Sequence, residues 1–185
     1  AIERVRPNAA SMAARAARLG VRLRPHIKTH KCIEVGRIQT AAHNGAITVS
    51  TLAEAHAFYA NGFDDITYAV PIEPGKFADA IDILRSGVKL NLLTDDAETA
   101  KQLDETAGRA GVKFDVFVKI DCGTHRVGVE PHTAEAIDTP RQLADARNLH
   151  FAGILTHAGH SYDVRTVDEI KKVARHERDV MVELA

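Results

Sequence analysis

Residues Lys89–Asp121 read KLNLLTDDAETAKQLDETAGRAGVKFDVFVKID. Lys89–Thr94 is an apolar run of strand length. Asp95 and Glu98, three residues apart, have the spacing of a capping box and predict a helix start. Phe114–Asp121, rich in Val and Phe, predicts a second strand. Two strands joined by a helix must run parallel, because an antiparallel pair needs only a short turn. This one stretch therefore sets the class as α/β.

The alternation continues in both directions. Upstream, an Ala/Arg-rich helix over Pro7–Leu19 stops at Gly20, and Val21–Thr29 leans towards strand. A helix with Val35, Ile38 and Ala42 on one face ends at Asn44–Gly45. Ile47–Ser50 is a short strand, and Thr51 with Glu54 caps a helix that stops at Asn61–Gly62. Asp65–Ile72 is a strand, and Phe77, Ile81 and Leu84 mark a helix closed by Gly87. Downstream, His150–His157 is a strand, and Thr166 with Glu169 opens a helix carrying Val167, Ile170 and Ala174. Six strands result, alternating with helices. No G-x-G-x-x-G loop follows the first strand, which weighs against a doubly wound dinucleotide fold. A closed barrel gives about 31 residues to each βα unit, so 185 residues cover about six of its eight. The expectation is one α/β domain over residues 1–185, a partial (β/α)8 TIM-type barrel.

Composition narrows the function classes. The chain is 45% hydrophobic and 26% charged, with a formal net charge of −1. No basic excess points to nucleic acid, no run is long enough to span a bilayer, and no membrane partner is expected. Two cysteines, Cys32 and Cys122, make neither a disulfide framework nor a metal spacing, so a reducing cytoplasm is the expected setting.

Three stretches carry chemistry. Arg24–Lys31 reads R-P-H-I-K-T-H-K. Strand alternation would put His26, Lys28 and His30 on one face and Ile27 with Thr29 on the other. A Lys28 turned into a barrel would be desolvated, lowering its pKa and freeing a neutral amine to attack a carbonyl. A solvated basic rim is the competing reading of the same three residues. Val118–Val129 reads V-K-I-D-C-G-T-H-R-V-G-V, a strand ending in Asp121 and running into a glycine-containing loop. Barrel active sites form at that end of the strands. Arg126 stays protonated and only donates hydrogen bonds, so a pyridine nitrogen facing it would remain unprotonated. An Arg126–Asp121 pair that only shapes the loop is the alternative. Ile154–Tyr162 reads I-L-T-H-A-G-H-S-Y, another strand entering a loop with His157, His160 and Tyr162. Two histidines three apart do not define a metal site.

Together these stretches resemble the D-serine dehydratase and D-threonine aldolase family, pyridoxal-phosphate (PLP) enzymes with the alanine-racemase-type N-terminal barrel. The resemblance rests on R-P-H-I-K-T-H-K at Arg24–Lys31, S-T-L-A-E-A at Ser50–Ala55, K-I-D-C-G-T-H-R-V-G-V at Lys119–Val129 and H-A-G-H-S-Y at His157–Tyr162. It covers nearly the whole chain. It implies a PLP-dependent lyase acting on D-β-hydroxy amino acids, by elimination or by aldol cleavage. Lys28 would carry PLP as a Schiff base, with Lys28 and Tyr162 as the catalytic pair. His26, Arg126, His157 and Tyr162 would contact the cofactor. The resemblance also implies a divalent metal, Zn or Mn, held by ligands of a C-terminal β domain, so no metal ligand is expected in this chain. Pro7 departs from the family, which has an uninterrupted helix there. A homodimer is the expected assembly. An amino-acid racemase on the same barrel, a noncatalytic PLP-binding protein and a self-associating barrel fragment are the competing functions.

Overall fold

The computed structural model describes residues 2–185, which form two compact units. The first runs to Val70 and resumes from Ala78 to Asn91; the second comprises Pro71–Phe77 and Leu92–Ala185.

The first unit opens with α1 (Ile2–Leu19), which buries Ala13 and Ala16. Pro7 sits inside this helix and withdraws the N–H that position would donate. The helix starts earlier than the sequence predicts. It ends at Gly20, in the left-handed region at φ 65°. There the Gly20 N–H reaches the Ala17 carbonyl and the Val21 N–H the Ala16 carbonyl, a Schellman closure. Next along the chain come α2 (Ile33–Thr40), β1 (Ile47–Val49), α3 (Leu52–Tyr59), β2 (Asp65–Pro71), α4 (Phe77–Arg85) and β3 (Lys89–Thr94), β3 passing into the second unit after Asn91. Helix α2 stops at Thr40, short of the predicted Asn44–Gly45 boundary. Ile27, Ile47, Val49, Phe58, Ile66 and Tyr68 are buried at the centre of this unit. Gly36 brings α2 close to the edge-to-face rings of Phe58 and Phe63, whose centroids lie 5.1 Å apart.

The second unit carries α5 (Ala97–Ala110), β4 (Phe114–Ile120), α6 (Glu135–Asp145), β5 (Leu149–Thr156) and α7 (Val167–Leu184). Its core is Leu92, Leu93, Leu103, Phe114, Val116, Val118, Ile120 and Leu143. The cap of α5 is Asp96, which accepts from the Thr99 N–H, one residue beyond the predicted Asp95. The Thr166–Glu169 capping box of α7 forms in both directions. Helix α6 has no counterpart in the sequence prediction; Pro140 lies inside it and breaks the helical pattern.

The strands form one sheet in the order β1-β2-β3-β4-β5. β1 pairs with β2 and β4 with β5, both in parallel. The order never reverses, which is barrel topology rather than doubly wound topology. Among the described residues five strands form instead of six. Val21–Thr29 is not a strand: it makes an isolated parallel bridge, His26 to Thr48, and then turns.

Candidate active site

The first unit holds Lys28 and His26. The segment leading to them is tied down at several points. The Arg24 guanidinium pairs with the Asp65 carboxylate at 2.7 Å and donates to the Ile47 carbonyl. The Ile27 N–H donates to the Thr48 carbonyl at 3.0 Å, and the Ile27 side chain is fully buried. The chain then leaves the extended conformation. The N–H groups of His30 and Lys31 both turn back to the Ile27 carbonyl, and Lys31 adopts φ 47°. Lys28 is therefore exposed, not turned into a desolvated interior as strand alternation predicts. Alternation survives as far as Ile27 and fails because the next four residues form a turn. Flanking imidazoles support that turn. His26 Nδ1 accepts from the Lys28 N–H at 3.4 Å, and His30 Nδ1 accepts from the Cys32 N–H at 3.1 Å.

Glu54, in the first turn of α3, is buried. The Thr51 hydroxyl accepts from the Glu54 N–H, the forward half of the predicted capping box. The Glu54 carboxylate accepts from the Ser50 N–H at 2.8 Å and pairs with the Lys31 ammonium at 3.0 Å. Burial pushes this carboxyl up, but the Ser50 N–H, the Lys31 ammonium and the Thr51 N–H outweigh burial and hold it below the ordinary value.

The second unit holds Arg126, His157 and Tyr162. Asp121, at the end of β4, is buried, and its Oδ1 accepts from the N–H groups of Gly123 and Thr124 at 2.8 and 2.9 Å. Burial pushes its carboxyl up; the Gly123, His125 and Thr124 N–H groups more than reverse this and hold it below the ordinary carboxylate range. The groups that gather Asp121 are thus backbone amides and the His125 ring, not the Arg126 guanidinium of the alternative reading. Arg126 is exposed on the loop they shape. Thr124 ties this loop to the one after β5: its hydroxyl donates to the His157 carbonyl and accepts from the Gly159 N–H, both at 3.0 Å. The rings of His157 and Tyr162 lie 5.8 Å apart, and the Tyr162 phenol is exposed.

Sequence reasoning passed over Lys119, which is only 4% exposed in β4. Burial pushes its ammonium below the ordinary value; Arg126 adds to this, while Cys122, Asp121 and Glu177 act against it. A lysine in a strand that, Asp115 aside, is all Val, Phe and Ile was the available signal. Cys122 is buried and Cys32 half-exposed; both are free thiols.

Asp121, His125 and Glu130 each bring one potential metal ligand atom within 4.8 Å of the others. The His125 imidazole already sits between the two carboxylates, 3.4 Å from Asp121 and 3.2 Å from Glu130. Asp121 Oδ1 is committed to the backbone. The three side chains thus pair with one another, and they are not the C-terminal ligands that the resemblance implies. For PLP the requirement is a reachable amine on a fixed backbone, and Lys28 meets it.

The order of the parallel strands and the polar loops after β4 and β5 define a partial α/β barrel with candidate active-site residues beyond its strand ends. The chain belongs to the family described as alanine racemase, N-terminal domain, whose model matches residues 1–184. Among curated relatives it is 40% identical to D-threo-3-hydroxyaspartate dehydratase of Delftia sp. (strain HT23), covering all of this chain and 48% of that protein. It is 39% identical to D-serine dehydratase of Dictyostelium discoideum, over 95% of this chain and 47% of the relative. It is 32% identical to D-threonine aldolase of Arthrobacter sp., over 91% and 44%. The solved structure of the Delftia dehydratase superposes with a TM-score of 0.94 at 38% identity, over the full chain and 48% of the other. The chain thus spans about half the length of the curated relatives it matches. Among the described residues no helix is long and apolar enough to cross a membrane.

Proposed function

We propose that the chain is the front part of a PLP-dependent lyase acting on D-β-hydroxy amino acids, with Lys28 as the residue that attaches the cofactor. The observation that carries this reading is the exposed Lys28 amine on a turn held on both sides, in a chain whose curated relatives are D-hydroxy amino acid dehydratases and aldolases. When bound, PLP supplies the electron sink for charge developing at the substrate Cα. Lys28 would hold the cofactor covalently, and its amine, once free, would take the Cα proton. His26 fixes the Lys28 backbone. Arg126 would serve the cofactor's ring nitrogen as a permanent hydrogen-bond donor, which would favour its unprotonated form. Tyr162 would lie near the cofactor or the substrate, with His157 beside it as a further cofactor contact. The working protein is a cytoplasmic homodimer, and its divalent metal is held by residues other than those named here.

The test is PLP addition, borohydride reduction and peptide mass mapping. A reduced pyridoxyl mass on Lys28, and on no other lysine, is expected, followed by keto-acid or glycine release from D-β-hydroxy amino acids. Labelling spread over exposed lysines without preference for Lys28 sinks the reading.

A further inference from the structure

A chemically reacting amine must be held at one place, yet Lys28 lies in a turn outside any strand. Regular hydrogen bonding does not fix such a segment; specific side chains must. Side-chain tethers hold the turn: His30 Nε2 pairs with Gln39 of α2 at 2.9 Å, and two others run to the start of α3. Of these two, one runs from the backbone of Lys28. Its N–H donates to His26 Nδ1, which leaves the imidazole proton on Nε2, and Nε2 lies 3.3 Å from the Ser50 hydroxyl. The Ser50 N–H in turn donates to the Glu54 carboxylate at 2.8 Å. The other runs from Lys31, which closes the turn and has a left-handed backbone unusual for a residue with a side chain. Such a conformation persists only where its surroundings over-determine it. Here the Lys31 ammonium is drawn onto the same buried carboxylate at 3.0 Å.

We propose that Glu54 is a positioning residue for Lys28, acting through Lys31 on one side and through Ser50 and His26 on the other; this rests on Lys28 being the attachment lysine. Helix capping alone does not account for the arrangement. A cap would need only the Thr51–Glu54 exchange, whereas the carboxylate also collects a cation from twenty-three residues upstream. With the charge removed, Lys31 is released, the left-handed residue relaxes, and the Lys28 backbone loses its fixed address.

Three variants test this in the full 185-residue chain. Glu54→Gln keeps an acceptor for Ser50 and drops the charge. Lys31→Met breaks the same pair from its exposed side without opening the core. Lys31→Arg keeps the charge. The first readout needs no cofactor: hydrogen–deuterium exchange of residues 26–32, with 114–120 as reference. Glu54→Gln and Lys31→Met are expected to exchange the turn roughly three- to tenfold faster, as suits loss of one charge-assisted contact with an exposed partner. Lys31→Arg should keep the native rate, and the reference should not change. The second readout is the rate of pyridoxyl labelling at Lys28, which should fall by a similar factor in the first two variants while exposed Lys113 labels normally. Native exchange in both charge-removing variants overturns the proposal. So does unchanged Lys28 labelling in both, when the parent chain labels there. A parent chain that takes no label at Lys28 overturns the attachment reading instead, and the exchange rates still decide whether Glu54 holds the turn. Should Glu54→Gln accelerate the reference peptide as well, Lys31→Met decides.

Discussion

Gly128→Ala should destabilise the second unit severely. Gly128 has φ 115°, a conformation residues with side chains rarely adopt. A Cβ there would lie 2.7 Å from the Asp121 nitrogen and 2.8 Å from the Ile120 carbonyl carbon, both backbone atoms that cannot swing aside. The close approach exists because the chain returns across the end of β4. Val129 donates to the Lys119 carbonyl at 2.8 Å, Asp121 donates to the Val129 carbonyl at 2.9 Å, and the Gly128 N–H reaches the Asp95 carboxylate at 2.9 Å. Relieving the clash means separating these segments. The forced φ costs about 1–3 kcal/mol, and the bonds at risk contribute about 1 kcal/mol each. A loss of roughly 3–5 kcal/mol follows, a large share of a typical domain stability of about 5–15 kcal/mol. At about 2–4 °C per kcal/mol for a chain of this size, the thermal midpoint should fall by roughly 6–20 °C. Urea unfolding and differential scanning calorimetry measure both. A loss under about 1 kcal/mol would refute the reasoning, since ordinary surface substitutions cost that little.

Three further outcomes are expected. Lys119→Met should stabilise the chain by about 1 kcal/mol at neutral pH, because it removes a buried ammonium while keeping the volume. The folded-state pKa of Lys119 lies below the ordinary 10.5, so the unfolded state binds more protons between the two values. The parent's handicap should fade as pH rises through that window, and stability curves that stay parallel up to pH 10 or so would contradict this. Asp121 works with the opposite consequence. Its carboxyl titrates below the ordinary 3.8 when folded, so its stabilising share is intact above that value and drains as pH falls through the folded pKa; Asp121→Asn should lose about 1–2 kcal/mol at neutral pH and show a flatter acid limb. Gly36→Ala sets helix propensity, worth about 1 kcal/mol in its favour, against overpacking of about 1–3 kcal/mol. Its Cβ would sit 2.9 Å from Phe58 and 3.2 Å from Phe63, rings already packed edge to face, so a net loss on the order of 1 kcal/mol is expected by chemical denaturation.

Local chemistry alone accounts for several elements of this fold. β3, β4, β5 and the capping box of α7 lie where apolar runs and Thr–Glu spacing predict them, because side-chain period and caps act within a few residues. The α/β class followed from those elements, and the motifs around Lys28, Asp121 and His157 pointed to the family. Tertiary structure decided the rest. Val21–Thr29 has strand composition, but contacts with Thr48, Asp65 and Glu54, each distant in sequence, fold its end into a turn and leave Lys28 exposed. Helix α6 forms despite Pro140 because Ala136, Thr139 and Leu143 are buried, and packing outweighs a broken local pattern. Thr124 joins two loops more than thirty residues apart, a link no local spacing encodes. Lys119 sits in a strand whose two faces are both covered near its end, so a residue that alternation would leave in solvent is closed in on both sides.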